Sequence, residues 1–466
     1  LPILRVECLA ARRRQLAAAA EVLVTAPAQA VSRADALLAG LGELGRCADT
    51  ASLRAANPDA PPPIDPVHAT QRGEARRQLA RALAHLVAGD VARAAPLIAQ
   101  ARSLARLVGD AALDAELRYA EGRLALVRGE VAEATAALDA AAARAIAAHA
   151  DELATDAWLA LAIDVGVRDQ RPGDIARWLA QAEAWLARNH AVADPRQVAV
   201  QGARGRLQLT AGDPRRAIAT LSAAITEVER GHGTDDPRLI PLLRDRAAAS
   251  ARLADARAAV ADGERALAIG LSAWGPEFPD IAATRRQLGL IYIEQLGEIA
   301  RGERELTAAR ALYTAQLGPD TIDVANCEQG LSVAGQYRGD YAAALAHAER
   351  AERIYAQRLG ADHQRRGESL MGIGVLRFLR KDFGGSLTAY QAALPILAAA
   401  LGDRHLTVGY LHSNLGETLL ALGRPDDAER ELSAALAILR ARLGADHVDL
   451  ALPLKALGAA ALARGR

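Results

Sequence analysis

The chain has 466 residues, with 56 Lys plus Arg set against 56 Asp plus Glu. That balance supplies no basic field to gather phosphate backbones and no acidic tail, so nucleic acid is not an expected partner. Hydrophobic residues make up 51% but aromatics only 3%, so the apolar content is mostly Ala, Leu and Val, and an all-α fold of closely packed helices is expected.

Cys8, Cys47 and Cys327 show no Cys-x-x-Cys spacing, which excludes a zinc knuckle or a dithiol redox motif. No run reaches the roughly 18 to 20 apolar residues of a membrane-spanning helix. Arg5, Glu7, Arg12, Arg13 and Arg14 interrupt the apolar N-terminal stretch, unlike a signal peptide. The first residue is Leu rather than Met. The natural protein is therefore expected to begin upstream, where its targeting signals would lie.

Residues 1–24 read as a helix, with Leu4, Leu9, Leu16, Ala20 and Leu23 on one side and an Arg-rich face opposite. Arg12-Arg-Arg14 is expected on that solvated face. Ala26-Pro27 breaks the helix, and a second over 28–44 brings Leu37, Leu38 and Leu41 together, so 1–56 reads as an antiparallel helical hairpin. Cys8 and Cys47 return to the same end of it. A disulfide and two buried free thiols both suit that geometry. Residues 57–66 follow as a stiff linker, because Pro58, Pro61, Pro62, Pro63 and Pro66 each lack an amide donor.

From about Glu74 the pattern becomes helix, short turn, helix, longer turn. Leu317-Gly-Pro-Asp, Leu359-Gly-Ala-Asp-His, Leu401-Gly-Asp-Arg-His and Leu443-Gly-Ala-Asp-His recur every 42 residues, and Trp274-Gly-Pro-Glu precedes them by one step of 43. A constant period of this length marks a solenoid of helix pairs. Gly89-Asp90, Gly129-Glu130, Gly212-Asp213, Gly339-Asp340 and Gly423-Arg424 fall within the pairs, where Gly ends one helix and an acidic residue starts the next.

Small residues return at fixed places. Second helices carry Ala94, Ala134, Ala217, Ala259, Gly302, Ala344, Ser386 and Ala428, and seven residues later Ala101, Ala141, Ala224, Ala266, Ala309, Ala351, Ala393 and Ala435. First helices carry Ala82, Gly122, Gly205, Ala247, Gly289, Ser332, Gly374 and Gly416. Mid-helix Gly costs about 1 kcal/mol against Ala, so its return implies close approach of two backbones. The region 154–190 departs from the pattern, with Trp178 and Trp185 where Ala is expected. The reading is an array of about nine pairs over 67–446 and a closing helix over 447–466.

These small positions resemble the tetratricopeptide repeat (TPR), and the 42-residue period with Leu411-His-Ser-Asn-Leu-Gly416 is similar to the longer repeats of kinesin light chains. Cys8-Leu-Ala-Ala-Arg-Arg-Arg-Gln-Leu16, Leu44-Gly-Arg-Cys-Ala-Asp49 and Leu53-Arg-Ala-Ala resemble the segment joining kinase and TPR regions in large bacterial serine/threonine protein kinases. The resemblance implies an α-α superhelix that binds a protein or peptide in its concave groove, as the non-catalytic sensor or docking region of such a kinase. The alternative is the TPR region of a transcriptional regulator whose DNA-binding domain is missing. It leaves the compartment open: cytoplasmic, or extracytoplasmic if a membrane helix lies upstream, where the cysteine pair is free to oxidise.

Carrying the repeat over places Arg244, Arg286, Gln329, Met371 and Ser413 at one wall position and Asn326, Glu368 and Tyr410 at another, with Asn414 and Glu417 beside them. The arginines could receive an acidic segment. There is no phosphate loop, no dinucleotide fingerprint and no kinase catalytic loop, so neither catalysis nor a cofactor is expected. His363, His405 and His447 recur at helix starts, where they read as caps rather than metal ligands.

Ala351→Leu and Ala435→Leu should overpack their slots and destabilise by about 1 to 3 kcal/mol, as measured by thermal unfolding. Unchanged unfolding of both would remove the slot assignment.

Overall fold

The computed structural model describes residues 2–25, 37, 47–48, 65–88, 90–166, 172–188 and 196–464. Apart from Leu37, Asp65 and Pro66, the expected second hairpin helix (28–44) and the Pro-rich segment (57–66) lie outside these residues. The fold is all-α, and no strand occurs among the described residues.

The chain divides into two units, Leu1–Ile281 and Ala282–Arg466. The first holds α1 (Pro2–Thr25) and five helix pairs: α2 (Pro66–Val87) with α3 (Val91–Val108), α4 (Ala111–Arg128) with α5 (Val131–Ala147), α6 (Asp151–Ala160) with α7 (Pro172–Arg188), α8 (Arg196–Thr210) with α9 (Pro214–His232), and α10 (Leu239–Arg252) with α11 (Ala256–Trp274). The second holds α12 (Pro279–Leu296, which starts at the boundary) with α13 (Ile299–Leu317), α14 (Ile322–Arg338) with α15 (Tyr341–Leu359), α16 (Gln364–Leu379) with α17 (Phe383–Leu401), and α18 (Leu406–Ala421) with α19 (Pro425–Leu443). A short 3-10 turn, Val448–Leu450, then leads into α20 (Ala451–Ala463).

The first-helix glycines explain how a pair closes. A Cβ added at Gly122, Gly205 or Gly416 would lie 2.6, 2.6 and 2.4 Å from Cγ of Leu138, Leu221 and Leu432, and one at Gly374 would lie 2.4 Å from the Tyr390 ring. Each large side chain comes from the second helix of the same pair and fills the space where a side chain is missing. Gly289 receives Leu306 in the same way, and its added Cβ would also meet the Gly302 carbonyl at 2.9 Å. The second-helix Ala and Ser slots are 0–1% exposed, so both small series are core.

Turn chemistry sets the period. Within pairs, Gly129, Gly212, Gly339 and Gly423 have φ of 72–84°, the left-handed conformation that ends a helix. Asp90, Asp213 and Asp340 then accept a backbone N–H at the start of the next helix, whereas Glu130 and Arg424 make no such cap. Between pairs, Gly318, Gly360 and Gly444 lie near φ 93–97° and ψ 165–167°, a region open essentially to Gly alone. The repeated Leu-Gly phrase is thus a helix end that no other residue could make. After it His363, His405 and His447 accept N–H from Arg365, Thr407 and Asp449, so the recurrent histidine caps the following helix.

Three details differ from the sequence expectations. In the 154–190 region α6 runs into a π-helical turn, Leu161–Val165, over which the fully buried Trp178 packs. The wider turn accommodates the bulkier ring, which is why the Ala pattern fails there. Second, α17 is long and apolar enough to cross a membrane by composition, contrary to the reading that no stretch qualifies. Here it is the second helix of a pair, with Ser386, Ala389, Tyr390, Ala393, Ile396 and Leu397 buried. Third, Arg12 and Arg14 do not point to solvent. Arg12 is only 14% exposed and pairs with Glu152 of α6 at 3.2 Å, while Arg13 is exposed. Burial and the neighbouring Arg76 cation lower the Arg14 pKa. Cys8 and Cys47 form a disulfide with a Cα–Cα distance of 5.6 Å, and Cys327 is a buried free thiol whose pKa burial pushes up to about 12.

Gly416→Ala gains about 1 kcal/mol of helix propensity but forces Leu432 out of its seat, for a net loss of about 1 kcal/mol. In a Leu432→Ala background the sign should reverse. Urea unfolding of the four-variant cycle checks both statements, and equal effects in the two backgrounds would show that Leu432 does not occupy the slot.

Candidate protein-binding surface

First helices in each unit carry the wall positions. In unit 1 successive first helices are cross-linked by ion pairs: Arg72–Asp110 and Arg76–Glu116 from α2 to α4, Arg123–Asp164 from α4 to the π turn, Arg196–Asp156 from α8 to α6, and Arg206–Asp245 from α8 to α10. Arg244 stands next to Asp245 on α10, half-buried. Most charges on this wall are satisfied by the wall itself.

Unit 2 presents a different surface. Arg286 on α12 is half-buried, and its charge lies close enough to Cys327 and Tyr355 to lower the pKa of both, against the larger effect of burial. Asn326 on α14 accepts from Tyr355 Oη at 2.8 Å and Arg365 Nη1 at 2.6 Å. Gln329 accepts from Ser369 Oγ at 3.4 Å, and Glu368 accepts from Gln364 at 2.8 Å. Met371 packs against the core formed by Tyr390, Leu397 and Leu411. Asn326, Gln329 and Met371 are committed to neighbouring helices and join one rung of the stack to the next, whereas the Glu368 bond stays within α16.

The last rung opens. Tyr410, Ser413 and Asn414 of α18 line a cavity of about 410 Å³ with Val448 and Asp449 of the 3-10 turn and Ala451, Leu452, Pro453 and Lys455 of α20. Ser413 is 4% exposed, and its hydroxyl has no partner within the protein. Tyr410 donates to Asp449, a bond that, with burial, pushes the phenol pKa up to about 12. Glu417, one turn along α18, has a buried Oε1 without a partner, and burial raises its pKa despite the Lys455 charge. The cavity therefore offers a hydroxyl, an amide and an ammonium beside an apolar floor.

The sequence reading does not reach Lys455, although the signal is available. Lys455 lies 42 residues after Ser413, Leu452 lies 42 after Tyr410, and Gly458 lies 42 after Gly416. The closing helix thus repeats the first-helix pattern, and its inner residues are wall positions.

Beneath the wall, Glu328 of α14 is a buried charge centre. Its side chain is fully buried and meets His347 at 2.5 Å, Arg350 at 3.2 Å and Arg310 at 3.3 Å. Burial alone would raise its pKa, but the His347 hydrogen bond and the two guanidinium charges outweigh it and hold the carboxyl below its ordinary value. Among the described residues no group of three or more His, Cys, Asp or Glu is placed to hold a metal.

Residues 280–357 and 407–466 match the tetratricopeptide repeat family, so the chain carries tetratricopeptide repeats. No curated protein matches it. A signal transduction ATPase with numerous domains and a tetratricopeptide repeat sensor, from Pyrococcus horikoshii, is 12% identical at a TM-score of 0.50, over 84% of this chain and 60% of that one. That likeness shows the fold alone. A Rap protein complexed with competence and sporulation factor is 12% identical at a TM-score of 0.48, covering 85% and 96%. A candidate kinesin light chain with nearly identical TPR-like repeats, from Podosopora anserina, is 18% identical at a TM-score of 0.38, covering 45% and 99%.

Glu328→Gln should cost about 1 to 3 kcal/mol, because charge-assisted contacts with two guanidinium groups are lost and the hydrogen bond to His347 is weakened. A carboxyl whose folded pKa is depressed contributes stability above its ordinary pKa and loses it as pH falls through the folded value. Chemical denaturation at a series of pH values should therefore show wild type losing stability on acidification, with a smaller loss in Glu328→Gln. Identical pH slopes would contradict this.

Proposed function

We propose that this chain is a protein-interaction scaffold that holds a peptide, or an extended segment of a partner, on the first-helix wall of unit 2, with the Tyr410–Ser413–Asn414–Lys455 cavity as its anchor. A stack of tetratricopeptide repeats supports the general role. The single observation that carries the location is the buried Ser413 hydroxyl, unpartnered within the protein, on the wall of that cavity. A buried polar group of this kind costs free energy until it is paired.

The lining defines what would fit. Asn414 can bond both groups of a peptide amide, Lys455 attracts a carboxylate, and Val448, Leu452 and Pro453 accept an aliphatic side chain. An extended segment with an apolar residue next to an acidic one, or next to a free C-terminus, matches all three. The resemblance of the N-terminal residues supports the finer reading that the scaffold is the docking region of a bacterial serine/threonine protein kinase.

Peptide arrays probed with the purified chain should select an aliphatic residue adjacent to a carboxylate. Asn414→Ala and Lys455→Glu should each weaken a selected peptide at least tenfold without altering thermal unfolding. Binding that survives both substitutions would place the site elsewhere.

A further inference from the structure

The closing helix presents a face that the glycine-bearing first helices of unit 2 keep covered. In α12, α16 and α18 the glycine slot receives Leu306, Tyr390 and Leu432 from the second helix of the same pair. Gly458 holds that position in α20, yet a Cβ added there would meet nothing within 4 Å. Gly458 is exposed, as are Leu454 at 44% and Leu462 at 77%. With Leu457 and Ala461 they form an uncharged stripe at the spacing of one helix face.

The repeat states what such a face takes. Four residues before the small slot, each first helix of unit 2 has a side chain that meets the second helix, and the two match in kind. Arg285 donates to Glu305 at 2.5 Å, Glu328 meets His347 at 2.5 Å and His412 meets Glu431 at 2.6 Å. Leu370 instead packs in the cluster that holds Ala389. Leu454 has this position in α20, so the matching partner offers an apolar residue there, followed by a large one for the Gly458 slot. In α17 that series is Ser386-x-x-Ala389-Tyr390, and α20 carries its own version, Gly458-x-x-Ala461-Leu462. The closing helix thus has the pattern of a first helix and of a second helix at once. Two such helices are self-complementary, because a two-fold axis makes every contact reciprocal.

We propose that two copies of this chain associate through α20, whose antiparallel pairing makes a further helix pair shared between them. Leu462 of each copy fills the Gly458 slot of the other, and Leu454 of each meets Ala461 of the other. The bare glycine lets the two backbones approach, and removal of the exposed leucines from water drives the association. One short helix pair is a small interface, so the dimer is transient, with a Kd of about 1 to 100 µM. The inference uses none of the residues that line the Ser413 cavity.

Sedimentation velocity of the full chain, over concentrations spanning that range, tests the proposal. The weight-average sedimentation coefficient should rise towards that of a dimer. Leu462→Ala and Gly458→Leu should each weaken association at least tenfold, the first by emptying the slot and the second by filling it from within. Both positions are exposed in the single chain. Thermal unfolding should therefore be unchanged in Leu462→Ala and unchanged or raised in Gly458→Leu, which separates loss of the contact from loss of the fold. A dimer that both substitutions leave intact would overturn the proposal. A chain that stays monomeric throughout would also overturn it, and binding of a synthetic helix of residues 383–401 to that monomer would assign the face to a helix of another protein.

Discussion

The architecture rests on a steric exchange inside each helix pair: one helix gives up a side chain and its partner supplies one. Leu138, Leu221, Leu306, Tyr390 and Leu432 occupy the spaces left by Gly122, Gly205, Gly289, Gly374 and Gly416. Where the first helix carries Ala82, Ala247 or Ser332 instead, the corresponding second-helix residue is Ile98, Gly263 or Ala348. Size lost on one side is made up on the other in most pairs, as close packing demands. Ser386 adds a polar version of the same contact, donating to the Gly374 carbonyl at 2.8 Å.

Such packing leaves the first-helix walls to polar side chains, and the two units use them differently. In unit 1 carboxylates and guanidinium groups answer one another from helix to helix, with α1 laid across three of them. In unit 2 Asn326, Gln329 and Glu368 are likewise drawn into contacts with neighbouring side chains, and Glu328 gathers two guanidinium groups and an imidazole below the surface. A surface of this kind is rigid because its polar groups bond one another, and free donors are left where the rungs run out, beside α20. The proposed site thus lies at a boundary of the repeat pattern, where packing rules relax.

Much of this was legible because helix pairs obey short-range rules. The recurring Gly, Ala and Leu-Gly positions depend on helix ends and contacts within a pair, and the period carries them forward without any long-range information. Residues whose roles depend on a distant partner were opaque. Arg12 reads as solvent-facing because nothing in its neighbourhood announces Glu152, which is 140 residues away. Asn326 looked like a free wall residue because Arg365 lies 39 positions on. Trp178 could not be placed without the π turn that receives it. Lys455 is hidden for a different reason: a helix that closes an array is not expected to carry wall positions.

The 43-residue step in the period has a visible location. In the other glycine-bearing pairs the filling residue follows its glycine by 16 positions, but Leu306 follows Gly289 by 17. The extra residue sits in the bend before α13, where the Glu298 N–H reaches back to Tyr292 at 2.9 Å and the Arg301 guanidinium covers the Tyr292 ring at 4.0 Å. Tight bends elsewhere reach back one residue less, as from Asp340 to Gly335 and from Asp382 to Arg377. A gene encoding such an array can therefore gain a single codon at these hairpins without moving any packed contact. The same codon inserted within a helix would rotate every residue beyond it by about 100°. The bends are the natural points for grafting a loop or a label.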